Sequence, residues 1–221
     1  ASIHVNGEYN NTKRAYSEME VLLDEVVCTK EDVLALGILP GDIVCFEPRT
    51  VVTPSGFIKS RFLDDKLSTG VLLGYAKYVK DENITPARRI YHHITVFEEV
   101  GHGGCASIPQ DVMEVLSVDM GCVGEGLGCD EYQVSICASD SRGPYHYDVV
   151  SALIEAAKKA GADFAVDVYP FYGSDADAAL TAGYDVRHGL IGPGVYASHG
   201  YERSHKKGVE NTFRLLKSYL G

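Results

Sequence analysis

The sequence lacks any apolar run long enough to cross a bilayer, for which roughly 20 residues are needed. Its first residues, ASIHVNGEYNN, contain neither the basic segment nor the apolar core of a secretory signal, so we expect a cytoplasmic location. Basic residues are also scarce, with 20 lysines and arginines against 31 aspartates and glutamates and a formal net charge of -11. Because nucleic-acid binding requires a basic surface, this balance argues against a nucleic-acid partner, and the missing apolar runs argue against a membrane partner.

Cys-x-x-Cys spacings are missing too, although the chain has six cysteines. A thiolate zinc knuckle and a dithiol redox motif are therefore not supported. We expect the cysteines to be reduced and mostly buried. No internal repeat or low-complexity tract is present, and the apolar fraction of 45% is that of an ordinary globular protein.

The patterns that are present divide the chain into two parts. Residues 1–57 indicate short strands and turns, with Thr29 and Asp32 placed as a helix capping box, and predict a small β domain. In residues 58–221 strand-like and helix-like segments alternate, which predicts an α/β domain with a mostly parallel central sheet flanked by helices. The predicted helices are Lys66–Lys80, Val149–Ala157 and Val209–Leu220, and the predicted strands are Ile90–Phe97, Met113–Val118, Tyr132–Cys137, Phe164–Val168 and Val186–Ile191.

Acidic residues and a histidine stand where several apolar segments of the second part end. They are Asp64 and Asp65 in RFLDD, Glu98 and Glu99 in ITVFEE, Asp119 in VLSVDMG, and His199 in GVYASHG. Since the carboxyl ends of strands line one crevice of an open α/β sheet, these groups can converge there. Carboxylates with histidine and without thiolate suit zinc or another borderline divalent ion, and a surplus of carboxylates suits two ions that share a ligand.

Each of these residues also has an ordinary structural explanation. Asp64 and Asp65 can stabilise the start of a helix, and Asp119 can form a turn. His199 is one of eight histidines. Their shared position at the ends of elements favours the metal interpretation. Within the glutamate pair, one residue could then coordinate an ion while the other acts as a base towards water.

Five segments, taken in order, resemble the glutamyl aminopeptidase or TET-type family of dinuclear-metal aminopeptidases, some of which are labelled endoglucanases. They are FLDDKLSTG, TVFEEVGHGG, IPQDVMEVLSVDMG, YGSDADAAL and ASHGYERSH with the following GVENTFRLL, and the likeness extends from Val21 onward. The resemblance implies a zinc-exopeptidase-like catalytic domain over residues 58–221. It also implies a barrel-like dimerisation domain over residues 1–57, and assembly of dimers into hollow tetrahedral dodecamers.

Carried over by position, the resemblance implies two divalent ions, zinc or alternatively cobalt or manganese. Asp64 would bridge both ions and form a cis peptide bond with Asp65. Glu99 and His199 would bind one ion, Asp119 would bind the other, and Glu98 would be the general acid and base acting on the metal-bound water. The stretch GSDADAAL would line the substrate.

The chain departs from the family pattern in two places. The His-x-Asp motif that completes the second metal site is missing, so we expect the amino-terminal catalytic segment to be lacking and the second ion to be held weakly. The altered YASHG segment leaves His205 as a rival to His199. If both ions were held tightly, His92, His93 or His102 would be the first candidates for the missing ligand.

The resulting functional prediction is a metalloaminopeptidase that removes the amino-terminal residue from short peptides and forms homo-oligomers. Two alternatives stay open. One is a catalytically inactive or fragmentary relative with a structural, oligomerising role. The other is the same chemistry in a carboxypeptidase or a deacylase.

Overall fold

The computed structural model describes residues 4, 13 and 15–221, and packing divides the chain into two units, Ala1–Cys45 and Phe46–Gly221. In the first unit, helix α1 (Lys30–Ala35) begins at the predicted capping box. Asp32 N donates to Thr29 Oγ1 (3.2 Å), and Thr29 N donates to the Asp32 carboxylate (2.9 Å). The predicted box is confirmed.

The described residues of the first unit contain no strand, although short strands were expected in this part of the chain. Two of its apolar side chains, Leu22 and Val26, are 85% and 97% exposed. A strand needs a partner for its backbone groups, and the described part of this unit offers none. The small β domain predicted for residues 1–57 falls partly on residues outside the described ranges, and its boundary stays a prediction.

One sheet organises the second unit. Its nine strands among the described residues are β1 (Val51–Val52), β2 (Phe57–Ser60), β3 (Glu114–Val118), β4 (Gly121–Val123), β5 (Val134–Asp140), β6 (Gly143–Pro144), β7 (Phe164–Val168), β8 (Arg187–Tyr196) and β9 (Glu202–His205). β3 and β4 run parallel to β8, and β7 runs parallel to β5. The pairs β1–β2, β2–β9, β5–β6, β5–β8 and β8–β9 are antiparallel.

The sheet is therefore mixed, which corrects the prediction of a mostly parallel sheet. The reason lies at β8, which turns back into β9 through a short connection and also receives β5 in the opposite direction. Short connections of this kind join antiparallel strands, whereas parallel strands need a longer crossover.

Helices α2 (Leu63–Asp81), α3 (Tyr147–Ala160), α4 (Asp175–Thr181) and α5 (Lys206–Leu220) cover the sheet. The predicted apolar stripe of α3 is buried, with Leu153 and Ala157 fully enclosed, and the helix ends at Gly161 in the left-handed conformation (φ 60°). These side chains share one core with strand residues such as Ile136 and Leu190.

The segment Ile90–Phe97 is not a strand, contrary to the prediction. Val96 and Phe97 are 86% and 63% exposed. Their apolar sequence imitates a buried strand, but the segment pairs with no strand in the described part of the chain. Periodicity alone could not distinguish these cases, because β propensity depends on neighbouring strands.

No helix in the described ranges combines the length and apolar character needed to cross a membrane. Cys129 and Cys137 are buried, whereas Cys28 and Cys45 are exposed and Cys105 and Cys122 are intermediate. The expectation of mostly buried cysteines is therefore wrong.

Candidate metal centre

Two candidate carboxylates lie at the start of α2. β2 leads through Arg61 and Phe62 into the helix, and Phe62 has a left-handed backbone (φ 64°) and makes no side-chain cap. The Asp64–Asp65 peptide bond is cis, as the family resemblance implied. The Asp64 side chain is only 9% exposed.

Glu98 and Glu99 lie in a 3-10 turn, Glu98–Val100, that Gly101 closes by donating to Glu98 O (2.7 Å). The glycines that follow allow close packing against the start of α4. A Cβ on Gly104 would lie 1.9 Å from the backbone oxygen of Asp175. Thr95 Oγ1 also donates to Asp175 Oδ2 (2.6 Å). α4 therefore fixes the segment that carries both glutamates.

Asp119 directly follows β3 and is 6% exposed. Its backbone N donates to Ile191 O (2.9 Å), and its carboxylate accepts from Met120 N (2.7 Å). His199 lies in the turn between β8 and β9, with a left-handed backbone (φ 64°) and a side chain that is 70% exposed. Both positions follow from strand ends, as the sequence suggested.

The structure brings three of the candidate groups to one point. His199 Nε2 lies 3.3 Å from Asp64 Oδ2 and 3.3 Å from Glu99 Oε2. One ligand atom from each of these residues lies within 4.8 Å of the other two. Two carboxylate oxygens and an imidazole nitrogen are a donor set that suits zinc.

A second group shares Asp64 with the first. Asp64, Asp65 and Asp119 each offer an oxygen atom within 4.8 Å of the others. All three donors are carboxylates, and the group contains no histidine. Asp65 was not among the predicted ligands, although its adjacency to Asp64 in LDDK was the available signal.

The carboxylates crowd together with an excess of negative charge. Burial raises the pKa of Asp64, and Asp119 and Glu99 add to that effect. Burial also raises the pKa of Asp65, and the negative charge of Asp119 is the next cause. Burial raises the pKa of Asp119 as well, followed by the charge of Glu98. Glu98 has its pKa raised to about 7, first by burial and then by Asp175 and Glu99.

The buried Asp65 Oδ1 has no hydrogen-bond partner in the described part of the chain. An unpartnered carboxylate oxygen inside a cluster of like charges is costly, and a divalent cation would both neutralise the cluster and provide a partner. The residues present therefore fit a metal ion.

The structure distinguishes His199 from its rival. His205 is 6% exposed, and both of its ring nitrogens are engaged, Nε2 with Ser55 O (2.9 Å) and Nδ1 as acceptor from Lys207 N (3.1 Å). Its ring packs against Phe57 and Tyr132. His92, His93 and His102 join neither ligand group among the described residues.

Two further residues near the centre escaped the sequence reasoning. Asp175 contacts the segment that carries the glutamates, and its place within the quoted GSDADAAL stretch was the only signal. Glu202 is 1% exposed and contacts the backbone of both Asp64 and His199. Its spacing of three residues after His199 gave a weak signal.

Comparison with known proteins gives one family. The family described as M42 glutamyl aminopeptidase matches the chain over residues 1–215. A curated relative in Bacillus subtilis (strain 168), YhfE, provisionally named an aminopeptidase, is 46% identical over 219 residues. That alignment covers 99% of this chain and 63% of the relative, so the chain spans less than two thirds of the relative's length.

Solved structures of similar fold include the aminopeptidase APDkam598 from Desulfurococcus kamchatkensis (TM-score 0.72, 21% identity), over 94% of this chain and 63% of that one. Another is the TET1 peptidase of Pyrococcus horikoshii, described as able to assemble into a tetrahedron or a large octahedral shell. Its TM-score is 0.72 at 20% identity, over 95% of this chain and 66% of that one. At these identities the likeness concerns the fold.

Proposed function

The chain belongs to the M42 glutamyl aminopeptidase family, and on that premise we propose that it is a metal-dependent aminopeptidase that releases the amino-terminal residue of short peptides. The observation that carries the proposal is the convergence of Asp64, Glu99 and His199 on one point. These residues come from three separate segments of the chain. Glu98 lies beside them and is available for proton transfer.

The chain's own residues would hold the ions in two places. One zinc ion, or cobalt or manganese in its place, would be bound by Asp64, Glu99 and His199. A second ion would be bound by Asp64, the adjacent Asp65, and Asp119. When bound, such ions supply Lewis acidity, which polarises a carbonyl group and lowers the pKa of water. The second group is entirely carboxylate, so we propose that it holds its ion more weakly than the first.

Glu98 is proposed as the group that moves the proton. Its carboxylate accepts a proton from the water that attacks the scissile carbonyl, and then gives that proton to the leaving amine. A pKa of about 7 suits both steps near neutral pH, because the carboxylate and carboxylic acid forms are then both populated. Burial and the nearby Asp175 are the leading causes of that pKa.

The reaction class is tested with aminoacyl amides and short peptides, assayed with and without added zinc or cobalt. We expect hydrolysis that requires metal and that stops when the substrate's amino terminus is acetylated. Equal hydrolysis of the acetylated substrates would favour a carboxypeptidase or deacylase instead. No hydrolysis of any substrate by the metal-loaded chain would favour the non-catalytic alternative.

We further propose that the chain forms homo-oligomers. The first unit exposes several large apolar side chains, such as Val26 (97%) and Ile43 (93%), and contact with a second copy would remove part of this apolar surface from water. The solved relative from Pyrococcus horikoshii is described as a tetrahedral or octahedral assembly. Light scattering coupled to gel filtration would measure the mass in solution, and a monomer at all concentrations would contradict the proposal.

A further inference from the structure

Glu202 is a buried carboxylate that contacts two ligand-bearing segments at once. It is the first residue of β9, opposite Ser60 of β2, and is 1% exposed. A carboxylate in such a place is stabilised only by hydrogen bonds or opposite charge. The partners of Glu202 are backbone N–H groups at the two segments that carry Asp64 and His199.

The first contact is with the start of α2. Leu63 N and Asp64 N both donate to Glu202 Oε2, the latter at 3.1 Å. The first N–H groups of a helix have no partner within the helix, and Phe62 provides no side-chain cap. Glu202 therefore takes the place of the cap, and its negative charge suits the helix N-terminus. It fixes the backbone from which the Asp64 carboxylate extends.

The second contact is with the turn that carries His199. His199 N donates to Glu202 Oε1 (3.0 Å). Ala197 and His199 both have left-handed backbones (φ 59° and 64°), and the His199 side chain is 70% exposed. Burial therefore does little to hold the imidazole in place. Within the turn Gly200 N donates to Ala197 O (3.0 Å), and next to it Tyr201 Oη donates to Arg49 O (2.9 Å). The Glu202 contact links the His199 backbone to the start of α2.

We propose that Glu202 is a positioning residue for the metal centre, which holds the Asp64 and His199 segments in register through their backbone. Asp64 and Glu202 are 138 positions apart in the chain, so this one side chain links segments that only the fold brings together. The role in metal binding rests on the proposed function. The hydrogen bonds from the two segments to Glu202, which we call the Glu202 clamp, are present in the metal-free chain.

Glu202→Gln tests the clamp because it keeps the size of the side chain and removes one acceptor. A glutamine has one oxygen, which can replace Oε2 at the two helix N–H groups, whereas its NH2 group would then face His199 N. We expect faster hydrogen exchange in the turn around His199 in the metal-free chain, with a smaller change at Leu63 and Asp64. Exchange would be followed by mass spectrometry or NMR.

The second readout is the binding of Co(II), measured by titration and by its visible absorption spectrum. Mutation of residues that support metal ligands through hydrogen bonds typically lowers metal affinity by about 10- to 100-fold. We expect Glu202→Gln to lose Co(II) affinity in that range and to show an altered absorption spectrum. Glu131→Gln is the matched control. Glu131 is also buried (7% exposed), but its carboxylate accepts from Arg203 Nε (2.8 Å). It should change thermal stability without changing Co(II) affinity.

The outcomes separate the two proposals. Faster exchange at His199 together with weaker Co(II) binding in Glu202→Gln alone supports the positioning role. If the wild-type chain binds Co(II) well and Glu202→Gln shows unchanged hydrogen exchange or unchanged Co(II) affinity, the positioning role is overturned. The proposed function is then unaffected. If the wild-type chain binds no Co(II), both the proposed function and the positioning role are overturned. If Glu131→Gln loses as much Co(II) affinity as Glu202→Gln, the effect is general destabilisation, and the positioning role is overturned.

Discussion

Replacing Glu98 with glutamine should abolish most turnover while leaving metal binding intact. The amide keeps the size of the side chain, but it can neither accept a proton from water nor return one to the leaving amine. Glu99, which we assign to the metal, is unchanged. The variant therefore separates proton transfer from metal binding within one pair of adjacent glutamates.

The expected loss follows from the role assigned to the side chain. A positioned general acid or base contributes about 10²- to 10⁴-fold to the rate. At about 1.36 kcal/mol per factor of ten, this corresponds to roughly 3–5 kcal/mol of transition-state stabilisation. Stability should not fall with it. Burial, Asp175 and Glu99 all raise the pKa of Glu98, which means that its charge is unfavourable in the folded chain.

The assay is hydrolysis of an aminoacyl amide at saturating zinc, with metal content measured on the same sample. We expect kcat to fall with little change in KM or bound zinc. Glu125→Gln, at an exposed loop position, is the control and should retain full activity. Wild-type turnover in Glu98→Gln with full metal content would refute the assignment of Glu98 as the base.

Three other predictions concern the ions, the histidines and a buried acidic pair. After dialysis against metal-free buffer, we expect elemental analysis to find one retained zinc ion per chain, and two retained ions would contradict the weak second site. His199→Ala removes a proposed ligand, so it should lower zinc affinity by more than the roughly 10- to 100-fold that is typical when a residue supporting a ligand is mutated. His205→Ala should instead lower thermal stability and leave zinc affinity unchanged. The Tyr145 hydroxyl lies 2.7 Å from Asp140 Oδ2 and 3.0 Å from Asp177 Oδ2. Burial, followed by the contact with Asp177, raises the pKa of Asp140 to about 6. The folded chain therefore binds this proton more tightly than the unfolded chain, and the stability it contributes is lost between about pH 4 and pH 7 as pH rises. Asp177→Asn should flatten that decline in urea unfolding, whereas an unchanged slope would refute the coupling.

Helices and central strands were predictable because burial imposes a regular period on their sequence. The α3 stripe through Leu153 is an example, since its residues enter the core at helical spacing. The segment Ile90–Phe97 shows the limit of that reasoning. Its apolar residues resemble those of a buried strand, but strand formation depends on a neighbour that the local sequence does not specify. The sheet's mixed direction was hidden for the same reason.

The candidate site was partly predictable for a different reason. Asp64, Asp119 and His199 stand where regular elements begin or end, and such ends gather at one edge of a sheet. Glu202 also stands at the start of a strand, but its role was hidden because it acts on backbone N–H groups, which leave no mark in the sequence of their own segments. Asp65 was not predicted as a ligand although it adjoins Asp64, because its place in the second group depends on how close its carboxylate lies to those of Asp64 and Asp119.

Anomalous diffraction at the zinc edge, from crystals of the chain grown with zinc, would locate the ion directly. We expect the strongest peak at about 2.0–2.2 Å from oxygen atoms of Asp64 and Glu99 and from His199 Nε2. A strongest peak at any other group of residues, or no peak between these three side chains, would show that their convergence does not form a metal site.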